Sequence, residues 1–190
     1  MTLTRIAAPA AEPVTLAEAK AHLRVTDAGE DSLISSLIKA AREEVEQSTG
    51  LALIAQDWRL YLDNWPPSGL VRLRRAPVQS VIQVTVYDNL GNPQTVVPPA
   101  GNLDRVNQPA RFVMPDGLKA PGRAMNGIEI DFRAGYGVTG VDVPDGLKRA
   151  ILLLVAFWFE HRGAQNAAGP DALWPEGFER IIARHRGMEL

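Results

Sequence analysis

Pro13-Val-Thr-Leu-Ala-Glu-Ala-Lys-Ala-His-Leu-Arg-Val25 opens the first helix that the sequence predicts. Thr15 stands three residues before Glu18. That is the capping-box spacing, in which each side chain satisfies an orphan backbone N–H of the first turn. Leu16, Ala19 and Leu23 then share one face, so a helix is expected over about 15–24. Asp27-Ala-Gly-Glu-Asp31 is a turn that loads acid onto the start of the next helix, where the macrodipole favours it. This second helix is expected over about 30–48. Its apolar set is Leu33, Ile34, Leu37, Ile38, Ala41 and Val45, and the opposite face carries Lys39, Arg42, Glu43 and Glu46. Gly50 stands where a left-handed C-terminal cap is wanted.

Working outward, residues 1–14 carry Pro9 and Pro13 and read as an extended arm with little core of its own. From Leu53 the period changes. Trp58, Leu60 and Leu62 alternate with Asp57, Arg59 and Tyr61, the pattern of a half-buried strand. Trp65-Pro-Pro-Ser-Gly69 breaks it, and Val71-Arg-Leu73-Arg alternates again. Val78–Tyr87 is a β-branched run, and Asn89-Leu-Gly-Asn-Pro93 turns it into Thr95-Val-Val97. Short strands are expected near Leu103–Val106 and Arg111–Val113. Gly127-Ile-Glu-Ile-Asp-Phe-Arg133 is a clear alternating strand. Residues 53–135 therefore read as a small antiparallel β-domain.

Gly135-Tyr-Gly137 is a corner. Pro144 then opens a third helix that reaches about Arg162. Gln165–Pro170 is a small, polar linker. Trp174 and Pro175–Arg186 follow as a short amphipathic helix or arm. The expected fold is α+β: a helical scaffold of three main helices plus the C-terminal helix or arm, with an inserted antiparallel β-domain. The division is 1–52 and 136–163 for the scaffold, 53–135 for the β-domain, and 164–190 for the linker and arm.

The chain has 190 residues, 46% of them hydrophobic, and a net charge of −2. Its pI is about 5.9, unlike domains that grip nucleic acid with their whole surface, where pI exceeds ~9. Without cysteine there is neither a disulfide framework nor thiolate chemistry. No basic segment precedes an apolar one at the N-terminus, so no signal peptide is expected. The longest apolar run, Ala150–Phe159, falls short of the ~20 residues of a membrane span, which reads as a soluble protein.

Chemistry-bearing patterns are weak. Gly135-Tyr-Gly137-Val-Thr-Gly140 matches G-x-G-x-x-G after a strand, but Val141–Pro144 separates the third glycine from the helix and no strand follows. A corner with positive-φ glycines is the simpler reading. His22, His161 and His185 have no metal-ligand spacing, and there is no nucleophile motif. Asp57, Asp63, Asp88 and Asp131 could supply a carboxylate pair of the glycosidase kind, but acids scattered at strand ends are usually solvated. Arg72-Leu-Arg74-Arg75, the one basic cluster, reads as a charged strand edge that discourages pairing, with contact to phosphate as the alternative. No catalytic residue, metal or cofactor is expected, and an enzyme built on the β-domain is disfavoured.

The third helix is unusual in being apolar all round from Ala150 to Phe159, where a surface helix needs one stripe. Leu147, Ile151, Leu154, Val155 and Trp158 are expected in the core or in a subunit interface. In the arm, Trp174, Phe178, Ile181 and Ile182 form an apolar stripe that needs a docking surface, with Arg180, Arg184 and Arg186 alongside.

In order and spacing the chain resembles the head–tail connector (adaptor) proteins of long-tailed bacteriophages, prophages and gene transfer agents. The matching pieces are Pro13–Lys20, Ala40-Ala-Arg-Glu-Glu44 with Thr49-Gly50, Gln56-Asp-Trp58 and Ala76-Pro-Val-Gln-Ser-Val81. Gly135-Tyr-Gly137, Val143–Ile151 and Glu160-His-Arg162 complete them. The chain departs from the pattern at Pro121–Asn126, where the family carries a Trp-Pro dipeptide. The resemblance implies a structural virion protein that forms a dodecameric ring beneath the portal. Such a ring joins the capsid to a stopper or tail protein and lets double-stranded DNA pass. It implies assembly in the bacterial cytoplasm, residence in the particle neck, no membrane, and portal docking by the C-terminal arm. The alternative is a neighbouring neck component, a stopper or tail terminator.

Overall fold

The computed structural model describes residues 1–161 and 174–186. The chain divides into two compact units. One holds residues 1–10 and 55–136, and the other residues 11–54 and the described part of 137–188. The expected linker, Gln165–Pro170, lies outside the described residues, as does Arg162 at the expected end of the third helix.

The first unit is built of strands: β1 (Thr2–Ala7), β2 (Gln56–Leu62), β3 (Leu70–Leu73), β4 (Val78–Tyr87), β5 (Pro93–Val96), β6 (Leu103–Asp104), β7 (Ala110–Val113) and β8 (Ile128–Ala134). They form a five-stranded sheet in the order β1-β2-β8-β4-β5 and a three-stranded one in the order β3-β7-β6. All pairings are antiparallel. Residues 1–7 correct the expectation of an arm attached to the helices, because β1 pairs with β2 from Thr2↔Tyr61 to Ala7↔Asp57. It is an edge strand whose side chains are almost all exposed, so no apolar alternation marks it. Backbone ladder bonds hold it.

Period-two alternation sorts the large sheet into two faces. Trp58↔Phe132, Leu60↔Ile130 and Leu62↔Ile128 stack on the inner face, and Val84 and Val86 join from β4. The other face carries a ladder of charge. Arg59 forks onto Asp131 at 2.6 and 2.8 Å and reaches Glu129 at 2.9 Å, and Arg133 forks onto Asp57 at 2.7 and 2.9 Å. Each such cross-strand pair contributes roughly 0.2–1 kcal/mol.

The second unit is helical: α1 (Leu16–Leu23), α2 (Asp31–Thr49), α3 (Asp145–Glu160) and α4 (Phe178–Ala183). The capping box is formed, with the Thr15 N–H donating to Glu18 Oε2 at 2.7 Å and the Glu18 N–H to Thr15 Oγ1 at 3.2 Å. Gly50 closes α2 at φ 73°, its N–H on the Glu46 carbonyl. The core joins Ile34, Ile38, Ala41 and Val45 of α2 to Leu147, Ile151, Leu154 and Val155 of α3.

Arg42 and Glu46 are buried, not on a solvated face as their sequence position suggests. The Arg42 guanidinium donates to Glu12 Oε2 at 2.7 Å and Glu46 Oε2 at 2.8 Å. Glu46 Oε1 accepts the Leu53 N–H at 2.8 Å. The segments on either side of α1 and α2 therefore cover a polar strip of α2 and satisfy its charges.

Candidate assembly surface

α3 is the organising element of the helical unit. Pro144 precedes it with φ −54°, and the Leu147 N–H reaches the Pro144 carbonyl at 2.9 Å. Asp145 in the first turn pairs with Lys148 at 2.8 Å. At the far end His161 caps the helix, its Nδ1 2.8 Å from the Phe157 carbonyl and its ring against Phe157 at 4.5 Å.

The five sequence-expected residues of α3 separate. Leu147, Ile151, Leu154 and Val155 are wholly buried in this chain's own core, against α1, α2 and α4. Trp158 is only half-buried, with Leu152, Leu153, Phe157 and Phe159. Trp158, four residues after Leu154, continues the core stripe at its end, while Leu152 and Phe159 on one flank of the helix and Leu153 and Phe157 on the other are only half-buried. The corner before α3 adds Val138 and Val141, which are 70% and 88% exposed.

The C-terminal residues also separate, and part of the docking expectation is corrected. Phe178 and Ile182 are wholly buried, because α4 packs on α3 and α2. They hold the arm to its own helices and offer nothing to a partner. Trp174 stacks on Phe178 with ring centroids 5.2 Å apart. Arg186 is engaged at home, donating to the Ser48 carbonyl at 3.0 Å and to Glu179 at 3.2 Å. Arg180 and Arg184 are exposed and Ile181 is half-buried.

Between α3 and α4 lies an open groove of about 790 Å³. Gly146, Arg149 and Leu153 line it from α3, and Arg180, Ile181 and Arg184 line it from α4. Gly146 leaves the wall low: a Cβ there would stand 3.3 Å from His185 Nε2. The sequence reading missed Gly146 and Arg149. Their spacing with Leu153, three and then four residues, was the available signal.

The other patterns resolve into structure. Only Gly135 of the Gly135–Gly140 run has a left-handed φ, 142°. A Cβ on Gly137 would meet Asp142 at 2.1 Å, and one on Gly140 would meet the Pro13 carbonyl at 2.4 Å. These two glycines serve close packing, which corrects the positive-φ expectation. The four aspartates are engaged separately: Asp57 by Arg133, Asp131 by Arg59 and Gln83, Asp63 by the Asn126 N–H, and Asp88 by its own hairpin. Arg75 lies over the Trp58 ring at 4.4 Å, while Arg72 and Arg74 are exposed. Among the described residues no group of His, Cys, Asp and Glu is placed to hold a metal ion. No described helix is long and apolar enough to cross a membrane.

Comparison with known proteins agrees with this architecture. The sequence profile of the head completion protein family matches residues 12–170. The chain is similar to one in the neck of an empty gene transfer agent particle computed with C6 symmetry. Identity is 29% and the TM-score 0.80, over 100% of this chain and 97% of that one. It is equally similar in sequence to a chain in the virion of a native gene transfer agent particle, with a TM-score of 0.79 and the same coverage. A chain in the neck of a native particle computed with C12 symmetry matches with a TM-score of 0.73. No curated protein sequence matches the chain.

Proposed function

This chain belongs to the head completion protein family, and from that premise we propose that it is a structural component of the particle neck. It works as a non-enzymatic adaptor. Copies close into a ring, dodecameric by resemblance, beneath the portal of a phage or gene transfer agent capsid. The far side of the ring receives the stopper or tail-completion protein, and double-stranded DNA passes through it. Assembly takes place in the bacterial cytoplasm.

The apolar girth of α3, wider than one stripe, supports this reading most directly. One stripe satisfies a monomer. Leu147, Ile151, Leu154 and Val155 supply that stripe. The half-buried flanks, Leu152 and Phe159 on one side and Phe157 on the other, are what neighbouring subunits cover in head-to-tail contacts that close by rotation. A net charge of −2 suits DNA that slides, since phosphate contacts would anchor it. Portal attachment falls to the exposed Arg180 and Arg184 with Trp174 and Ile181 at their margin.

Cryo-electron microscopy of the particle neck tests the proposal. The expected result is a ring of this chain directly beneath the portal, with α3 of each copy against its neighbour. Density at any other position, or normal tails on particles lacking the chain, overturns it.

A further inference from the structure

We propose that the groove between α3 and α4 is a docking site for an acidic, amphipathic segment of a partner protein. The inference rests on the proposed function only in taking that partner to be another protein of the particle.

Three exposed guanidinium groups converge on the groove: Arg149 from α3, and Arg180 and Arg184 from α4. None has an ion pair among the described residues, whereas Arg186, just beyond α4, is engaged by Glu179 and the Ser48 carbonyl. The two carboxylates of the lining, Glu176 and Glu179, do not balance them, because Glu179 is already taken by Arg186. Leu153 and Ile181 are half-buried and put apolar surface beside the cations. His185 comes close to Gly146, where a Cβ would stand 3.3 Å from its Nε2.

This combination selects among occupants. A phosphate backbone is met by cations and polar donors that follow its charge. Such a site has no use for an apolar floor. A peptide helix or strand with carboxylates on one side and leucine-like residues on the other satisfies both features. Guanidinium groups fork onto carboxylates with two parallel bonds, which fixes the orientation of the segment. The volume of about 790 Å³ lies within the range of about 300–1,000 Å³ typical of ligand clefts.

Fluorescence anisotropy of the purified full chain tests the proposal. The probe is a labelled helical peptide with Leu on one face and Glu on the other. Controls are the same peptide with Gln for Glu and a labelled double-stranded DNA oligonucleotide. The Glu peptide is expected to bind, to weaken as salt is raised, and to lose at least about tenfold in affinity, about 1.4 kcal/mol, in the Arg180→Glu/Arg184→Glu variant. Both positions are exposed, so melting should be unchanged. Gly146→Leu tests the groove from the other helix. It pushes the His185 ring into the groove while favouring helix, and should weaken the peptide equally. The proposal is overturned if the Gln peptide binds as well as the Glu peptide, if the DNA binds through these arginines and the peptide does not, or if neither probe binds. It is also overturned if these arginines instead mediate self-association of the free chain. The measurement uses no particle, so its failure leaves the neck position standing, and a misplaced neck position leaves the peptide result standing.

Discussion

Replacing Arg42 by Met should be among the most damaging single changes in the helical unit. Arg42 is 1% exposed and Glu46 5% exposed. Burial disfavours the guanidinium charge, but hydrogen bonds and charge from Glu12 and Glu46 more than restore it, holding Arg42 above its usual range. Deleting the cation leaves the Glu46 carboxylate buried without its counter-charge, the Leu53 N–H still on Oε1. Breaking a buried pair from one side costs about 3–5 kcal/mol, a large share of the roughly 5–15 kcal/mol that holds a domain together. In urea, with a slope of about 2 kcal/mol/M, the midpoint should fall by about 2 M. The double variant Arg42→Met/Glu46→Gln is the decisive control. Gln keeps an acceptor for the Leu53 N–H but carries no charge, so the loss should shrink to about 1 kcal/mol, one net hydrogen bond. Glu12→Gln touches the partly exposed end and should cost no more than about 1 kcal/mol. If Arg42→Met unfolds within about 1 kcal/mol of wild type, or if adding Glu46→Gln recovers nothing, the network does not do what its geometry says.

Thr15→Ala removes the cap of α1 and should cost about 1 kcal/mol by urea unfolding. The Thr15 N–H and hydroxyl hold the Glu18 carboxyl below its usual value. Its contribution is therefore complete above the unfolded carboxylate pKa and is lost as pH falls through the lower folded one; Glu18→Gln should lose that part of the acid dependence. Leu154→Asp buries an unpaired charge at a wholly enclosed position and should abolish the helical circular-dichroism signal. Trp158→Asp, at a half-buried position, should keep that signal and fail in ring assembly, as seen by native electrophoresis of neck complexes. Phe178→Ala should cost about 3–5 kcal/mol, whereas Arg180→Ala should stay within about 0.5 kcal/mol, a contrast that thermal melting will show.

What could be read from the chain followed from local rules. Thr15 and Glu18 marked a helix start because a cap is satisfied by residues three apart. β2 and β8 were legible because Trp58, Leu60 and Leu62, and Ile128, Ile130 and Phe132, alternate over a buried face. β1 gave no such signal, because an edge strand is held by backbone bonds and its side chains face water. The Arg42–Glu46 pair was illegible for the opposite reason. At i, i+4 spacing it looks like an ordinary solvated pair. Only the tertiary path of Glu12 and Leu53 over α2 removes it from water.

The arm shows where local reading ends. An apolar stripe on a short helix states that something must cover it, and nothing in the stripe says what. For Phe178 and Ile182 the cover is α2 and α3 of the same chain. That transfers the question to the surfaces left over: the half-buried flanks of α3, the exposed Val138 and Val141, and the groove beside Arg180 and Arg184. These surfaces differ in chemistry. The α3 flanks are mainly apolar, with Leu152, Phe157 and Phe159 half-buried, which suits a repeated contact with an identical subunit. The groove is cationic beside its apolar floor, which suits a partner of different composition. An adaptor has both needs, one toward its own copies and one toward an unlike neighbour. The helical unit separates them, placing the first on α3 alone and the second between α3 and α4.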